Sequence, residues 1–223
     1  MAEMEQIHAT IPGFLRALWS YYDHSEKYYF RSRSKSLALI AKTIGQHMKF
    51  DDKSIASMVQ AAFFLSAIQN SMPAKFILTD PSDMNEEDRI AFFTNFSTAL
   101  KEIRKAGLKL HTRILAEIWE NFDGSGHPRS LKGTELLSES QILNMANIYH
   151  NNVYRLNKDD LDKYTSGEIL IQAKADTQKR HDATLKYINK KVKWFDPDVF
   201  QEFQFILKSK FCAALIPEAN GLK

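Results

Sequence analysis

Apolar positions recur along most of this chain at three- and four-residue intervals, the period of helices that bury one face. Ile11 to Tyr22 sets Phe14, Leu15, Leu18 and Tyr22 on one side, with Trp19 beside them. The next stripe is Leu37, Ile40, Ala41, Ile44 and Met48. Asp51 and Asp52 then supply an N-cap for a segment that is apolar almost all round from Met58 to Ile68, which predicts the central core helix. Asn85, followed by Glu86, Glu87 and Asp88, opens another helix that runs to a Gly107 C-cap, because carboxyl groups favour the positive end of the helix dipole. A helical pattern follows over Leu108 to Phe122, then the loop "DGSGHPRSLKG". Ser138 and Gln141 have capping-box spacing before "ILNMANIYHNNVY". A long helix is expected from Ser166 to about Lys190, and Asp196–Pro197 caps a last one with Val199, Phe200, Phe203, Ile206 and Leu207 on one face. Strand signals are weak. The pattern predicts an all-α helical bundle over 31–223, preceded by an accessory helix in residues 1–30.

Composition narrows the class. The 223 residues are 44% hydrophobic with a net charge of only +3, which suits one globular core and gives no nucleic-acid footprint. The basic tract Lys186 to Trp194 reads as a solvated helix face. A single cysteine, Cys212, excludes an internal disulfide and a cysteine-based zinc site, and reads as a core residue. No apolar run approaches membrane-spanning length and the first residues lack a signal-peptide pattern, so a cytoplasmic protein is expected.

The loop carries the chemistry question. "IWENFDGSGHPRSLKG" (Ile118 to Gly133) and the following "ILNMANIYHNN" resemble the defining motif of HD-GYP domains, HHExxDGxGYPxxLxG followed by a helix with an alanine–aspartate pair. Asp123, Gly124, Gly126, Pro128, Leu131 and Gly133 match, while His127 stands in place of the tyrosine. Upstream, "AAFFLSAIQNSMP" (Ala61 to Pro73) lines up with the family's AALLHDIGKIGIP, and downstream "WFDP" resembles its FDP. The resemblance spans about Arg31 to Leu207. It implies an HD-type helical fold, and in active members two or three iron or manganese ions that hydrolyse cyclic di-GMP.

Carried over position by position, the resemblance implies a lost metal site. The His-Asp pair falls on Leu65 and Ser66, and the neighbouring lysine on Gln69. The two histidines before the conserved glutamate become Ile118 and Trp119. The aspartate after alanine becomes Asn147, and a further aspartate becomes His150. The family's first histidine should lie near Arg33 and another near Phe92, and neither is present. A divalent transition metal needs several deprotonated donors converging at about 2.0–2.2 Å. Leucine, isoleucine and tryptophan offer none, so no metal or other cofactor is expected and the apolar replacements should fill the cavity. Without a metal, no device lowers the pKa of an attacking water. No catalytic residue is assigned.

The other histidines offer no replacement site by spacing. His181–Asp182 reads as solvated helix surface, and His127 as an exposed turn residue. Three accounts of the loop stay open. It can be a structural turn, with Asp123 bonding the backbone two residues on and Gly124 and Gly126 permitting positive φ. It can bind a phosphate ligand without cleaving it, through Arg129 and Lys132. Or the domain can be a protein-interaction module, with Phe14, Trp19, Tyr22 and Tyr29 as interface rings. The expectation is an inactive HD-GYP pseudo-phosphodiesterase that regulates through a protein partner or by dimerising. The alternatives are a cyclic di-GMP receptor and, third, a phosphodiesterase with an unconventional site.

Overall fold

The computed structural model describes residues 28–153 and 174–208. Phe14, Trp19, Tyr22 and Cys212, the N-terminal stripe and the start of the expected helix at Ser166 lie outside the described residues. Among the described residues the elements are α1 (Tyr28–His47), α2 (Asp52–Asn70), α3 (Ala74–Leu78), α4 (Glu86–Lys105), α5 (Lys109–Ala116), α6 (Ser138–Val153), α7 (Lys174–Lys190) and α8 (Pro197–Lys208). Short 3-10 turns lie at Pro81–Asp83, Gly133–Glu135 and Val192–Trp194, and no strand occurs among these residues. The fold is all-α. The expected boundary between residues 30 and 31 falls inside α1, and Tyr29 lies in its first turn.

Local chemistry sets most helix ends. Asp51 accepts from the Ser54 backbone N–H at 2.7 Å, and Asn85 from that of Asp88 at 2.8 Å. Asp196 takes the amides of Asp198 and Val199 at 2.9 and 3.2 Å. Each satisfies a donor that the first helical turn leaves open. α4 stops at Lys105, and Gly107 follows at φ +82°, the left-handed conformation that glycine enters most easily.

α2 is the centre. Met58, Ala61, Ala62 and Leu65 are fully buried there, and Phe63, Phe64 and Ile68 nearly so. α1 packs along it and also against α6, while α5 closes on α2 and α6. α7 and α8 cover α6, with α8 reaching α1. Val199, Phe203 and Ile206 form the buried face of α8. Each such side chain contributes roughly 1.5–3 kcal/mol by leaving water.

Two expectations are corrected. The helical pattern over Leu108 to Phe122 ends at Ala116. Beyond it Ile118 and Glu120 donate to carbonyls three residues back, Leu115 at 3.3 Å and Glu117 at 3.0 Å. In this tightened stretch the Glu117 and Glu120 carboxyls accept from amides farther along the chain. Ser138, in turn, is the first residue of α6 rather than its cap. Glu117 does the capping instead: its Oε2 accepts from the Leu137 amide at 2.8 Å and the Ser140 hydroxyl at 3.0 Å.

Candidate functional site

The residues that occupy the inferred metal positions come from four stretches of chain: α1, α2, the turn after α5, and α6. α2 points Leu65 and Ser66 inward, both at 0% exposure. Ile118, also fully buried, belongs to the same core cluster as Leu65. Trp119 is half-buried and meets the rings of Phe92, Phe96 and Phe93 edge-on, with centroids 5.0, 4.6 and 5.8 Å away. Phe76 extends this cluster on the far side of Phe92, at 5.8 Å. Edge-to-face rings of this kind attract beyond their buried area.

Beside this apolar half lies a polar one that the sequence did not disclose. Arg33 is 2% exposed. Its Nη1 donates to Ser66 Oγ at 2.9 Å and its Nη2 to Asn147 Oδ1 at 2.5 Å. Asn151 Oδ1 lies 3.4 Å from Nε and 3.5 Å from Nη2. The Ser66 hydroxyl donates onward to the Ala62 carbonyl at 3.1 Å, and the Asn151 amide to Asn147 Oδ1 at 3.3 Å. A guanidinium thus bonds two of the three residues that stand at the inferred aspartate positions, Ser66 and Asn147. His150, one turn along α6, is buried; burial first and the charge of Arg33 second push its pKa well below the ordinary histidine value.

Do these residues fit a divalent metal? Among the described residues, no three His, Cys, Asp or Glu side chains gather as a metal-binding group. Ser66 and Asn147 offer neutral oxygens that already accept from a fixed cation, and a second cation there would meet it at close range. The donor set does not fit.

The loop is built on different principles. Glu120, at 0% exposure, accepts from the Arg129 amide at 2.7 Å with Oε1 and from the Leu131 amide at 3.0 Å with Oε2. Its own carbonyl takes the Asn144 and Gln141 side-chain amides of α6 at 3.1 and 3.4 Å. Asp123 Oδ1 accepts from the Ser125 amide at 3.0 Å and hydroxyl at 2.6 Å, closing a tight turn. Gly124 has φ +81°, and Asp123 forms an isolated bridge with Lys132. Gly126 is indispensable for a different reason. A Cβ there would stand 2.3 Å from the Asn121 nitrogen and 2.5 Å from the Trp119 oxygen.

The remaining candidates separate. Arg129 is half exposed, with Nη2 3.8 Å from Glu117 Oε1 and Nε 4.0 Å from Glu120 Oε1, so its charge faces the two carboxyls beneath the loop. Lys132 is exposed. His127 is half-buried, its ring tilted against Phe93 at 6.5 Å, rather than free on the turn. Pro128 is exposed. His181 is corrected outright: it is 7% exposed, and its Nδ1 pairs with the Tyr149 hydroxyl at 2.8 Å under a T-shaped ring contact. Thr184 and Ile188 of the same helix are buried with it, whereas Asp182 beside it is exposed. His111, on α5, is also buried; its Nε2 meets Gln60 Oε1 at 2.5 Å, and burial lowers its pKa to about 4.

The bundle is all-helical, and its α2 and α6 carry the inferred His-Asp and Ala-Asp positions. The profile of the HD domain matches residues 23–185. The chain belongs to the HD domain family. This is the fold of metal-dependent phosphohydrolases. No curated protein matches the chain. Among the described residues, no helix of this HD domain is long and apolar enough to cross a membrane.

Proposed function

We propose that this HD domain is a degenerate relative of the HD-GYP group, without metal or phosphodiesterase activity, that regulates by contact with a protein partner or a second copy of itself. The observation that carries the reading is the chemistry of the inferred donor positions. Leu65 and Ile118 are packed into the core, and Trp119 is bound up in phenylalanine rings. Ser66 and Asn147 accept from an arginine. Hydrolysis of a phosphodiester by this fold requires a metal to generate the nucleophile and hold the phosphate charge. None of the five side chains supplies an anionic donor. The persistence of the loop then needs no catalysis, because Glu120, Asp123 and Gly126 give it a structural task.

Metal content and turnover test the reading directly. Protein purified without chelator should contain well under one iron, manganese or zinc per chain and should leave cyclic di-GMP intact. A full metal complement with turnover would overturn the proposal. The receptor alternative rests on Arg129 and Lys132. Its weakness is that Arg129 faces Glu117 and Glu120, which leaves less of its charge for a phosphate. Calorimetry with cyclic di-GMP should therefore be flat; micromolar binding that Lys132→Ala abolishes would establish the receptor instead. Light scattering and co-purification from the native cell distinguish self-association from a partner.

A further inference from the structure

We infer that the Arg33 guanidinium is a built-in cation that has taken over the structural task of a metal, tying α1, α2 and α6 together at their crossing. The inference rests on the metal-free reading above and goes beyond it by assigning the residue that does the tying.

Three observations converge on Arg33. First, its place is unusual for the residue type: a long basic side chain with 2% exposure, among the largest fully buried side chains of the described residues. Second, its bonds go across the fold rather than along it. Ser66 is 33 residues away on α2, and Asn147 is 114 residues away on α6. One planar group therefore fixes the mutual position of three helices, as a coordinated ion would. Third, the oxygens it engages are those of Ser66 and Asn147, where the resemblance places aspartates. A guanidinium spreads its charge over several N–H groups and can donate to neutral oxygens such as these. A divalent transition metal draws instead on imidazole and carboxylate donors. Replacing metal by arginine and aspartates by serine and asparagine is thus one coherent exchange: the central positive charge falls, and the negative charge around it falls too. Either half alone would leave buried charge poorly compensated. Asn151 adds a further neutral oxygen.

The test is thermal unfolding of the full chain. The parent should unfold at the same temperature with and without excess chelator. Arg33→Met keeps the stem and removes the donors, and should lower Tm by on the order of 10 °C. Arg33→Lys retains the charge without the fork and should fall between the two. Adding Ser66→Ala and Asn147→Leu to Arg33→Met removes the acceptors left without their donor, and should recover at least half of the loss. An Arg33→Met variant as stable as the parent would sink the inference. So would a loss that the added substitutions fail to recover, since that would trace the effect to stem packing. A second arm reverses the exchange: Arg33→His, Leu65→His, Ser66→Asp and Asn147→Asp together. Addition of manganese should then raise Tm by several degrees in the variant and not in the parent. A folded variant indifferent to manganese and other divalent metals would disprove the equivalence between arginine and ion. Metal bound to the parent protein would instead remove the underlying metal-free reading, so the two failures are distinguishable.

Discussion

The helix crossing at Arg33 and the loop at Asp123 to Gly133 are held together by opposite physical means. At the crossing, Arg33 bonds the side chains of Ser66, Asn147 and Asn151, and the Ser66 hydroxyl bonds the Ala62 carbonyl. Such contacts can be exchanged as a set, donor together with acceptors, because each bond of Arg33 lies between side chains carried on helices rather than on loop amides. In the loop, side chains hold the main chain itself. Glu120 binds two loop amides and offers its own carbonyl to α6, and Gly126 passes too close to the Trp119–Asn121 backbone for any Cβ. A change there has no compensating partner. On the proposed HD-GYP reading, this is why the loop sequence is kept while the centre differs.

Substitutions can break that contrast, starting with the largest effect. Gly126→Ala forces a methyl group to within 2.3 Å of backbone, so the loop must shift. A loss of about 4 kcal/mol or more is expected in urea unfolding, with no single compensating change. Glu120→Ala should cost about 3 kcal/mol, because two amides lose their acceptor beneath the loop. Ser66→Ala, equally buried but in the exchangeable region, takes one acceptor from Arg33 and should cost about 2 kcal/mol. If Ser66→Ala proved as damaging as Glu120→Ala, the contrast between the regions would collapse.

A pH measurement sharpens it from outside both regions. His111 has its pKa lowered to about 4 by burial, from an ordinary 6.5. Above pH 6.5 it is neutral in both folded and unfolded chains, and its burial is fully tolerated. Between pH 6.5 and about 4 the unfolded chain binds a proton that the folded one refuses, so stability falls as pH falls. The expected loss from pH 7 to pH 5 is about 2 kcal/mol from this residue. His111→Gln should flatten that part of the stability profile; an unchanged slope would assign it to another group. Smallest of all, Lys132→Ala on the exposed loop surface should alter stability by less than about 0.5 kcal/mol.

The sequence alone determined the all-α class, the central place of α2, and the caps at Asp51, Asn85 and Asp196, together with the Gly107 stop. These are legible because an N-cap and a helical period act within three or four residues, so the causes lie next to their effects. The resemblance also sets Leu65, Ser66, Ile118, Trp119 and Asn147 at the motif's ligand positions, and the proposed function rests on that alignment. What only the tertiary structure decided is which distant residues share a site. Arg33 looked like one of several basic residues in "RSRSKS", and its partner Asn147 lies 114 positions away. Glu117 caps a helix that starts at Ser138, and His181 turns inward to Tyr149. Burial turns such polar residues from solvated to bonded, because inside the core each donor must find an acceptor. Which acceptor stands near is set by how the helices cross, and no local pattern encodes that crossing.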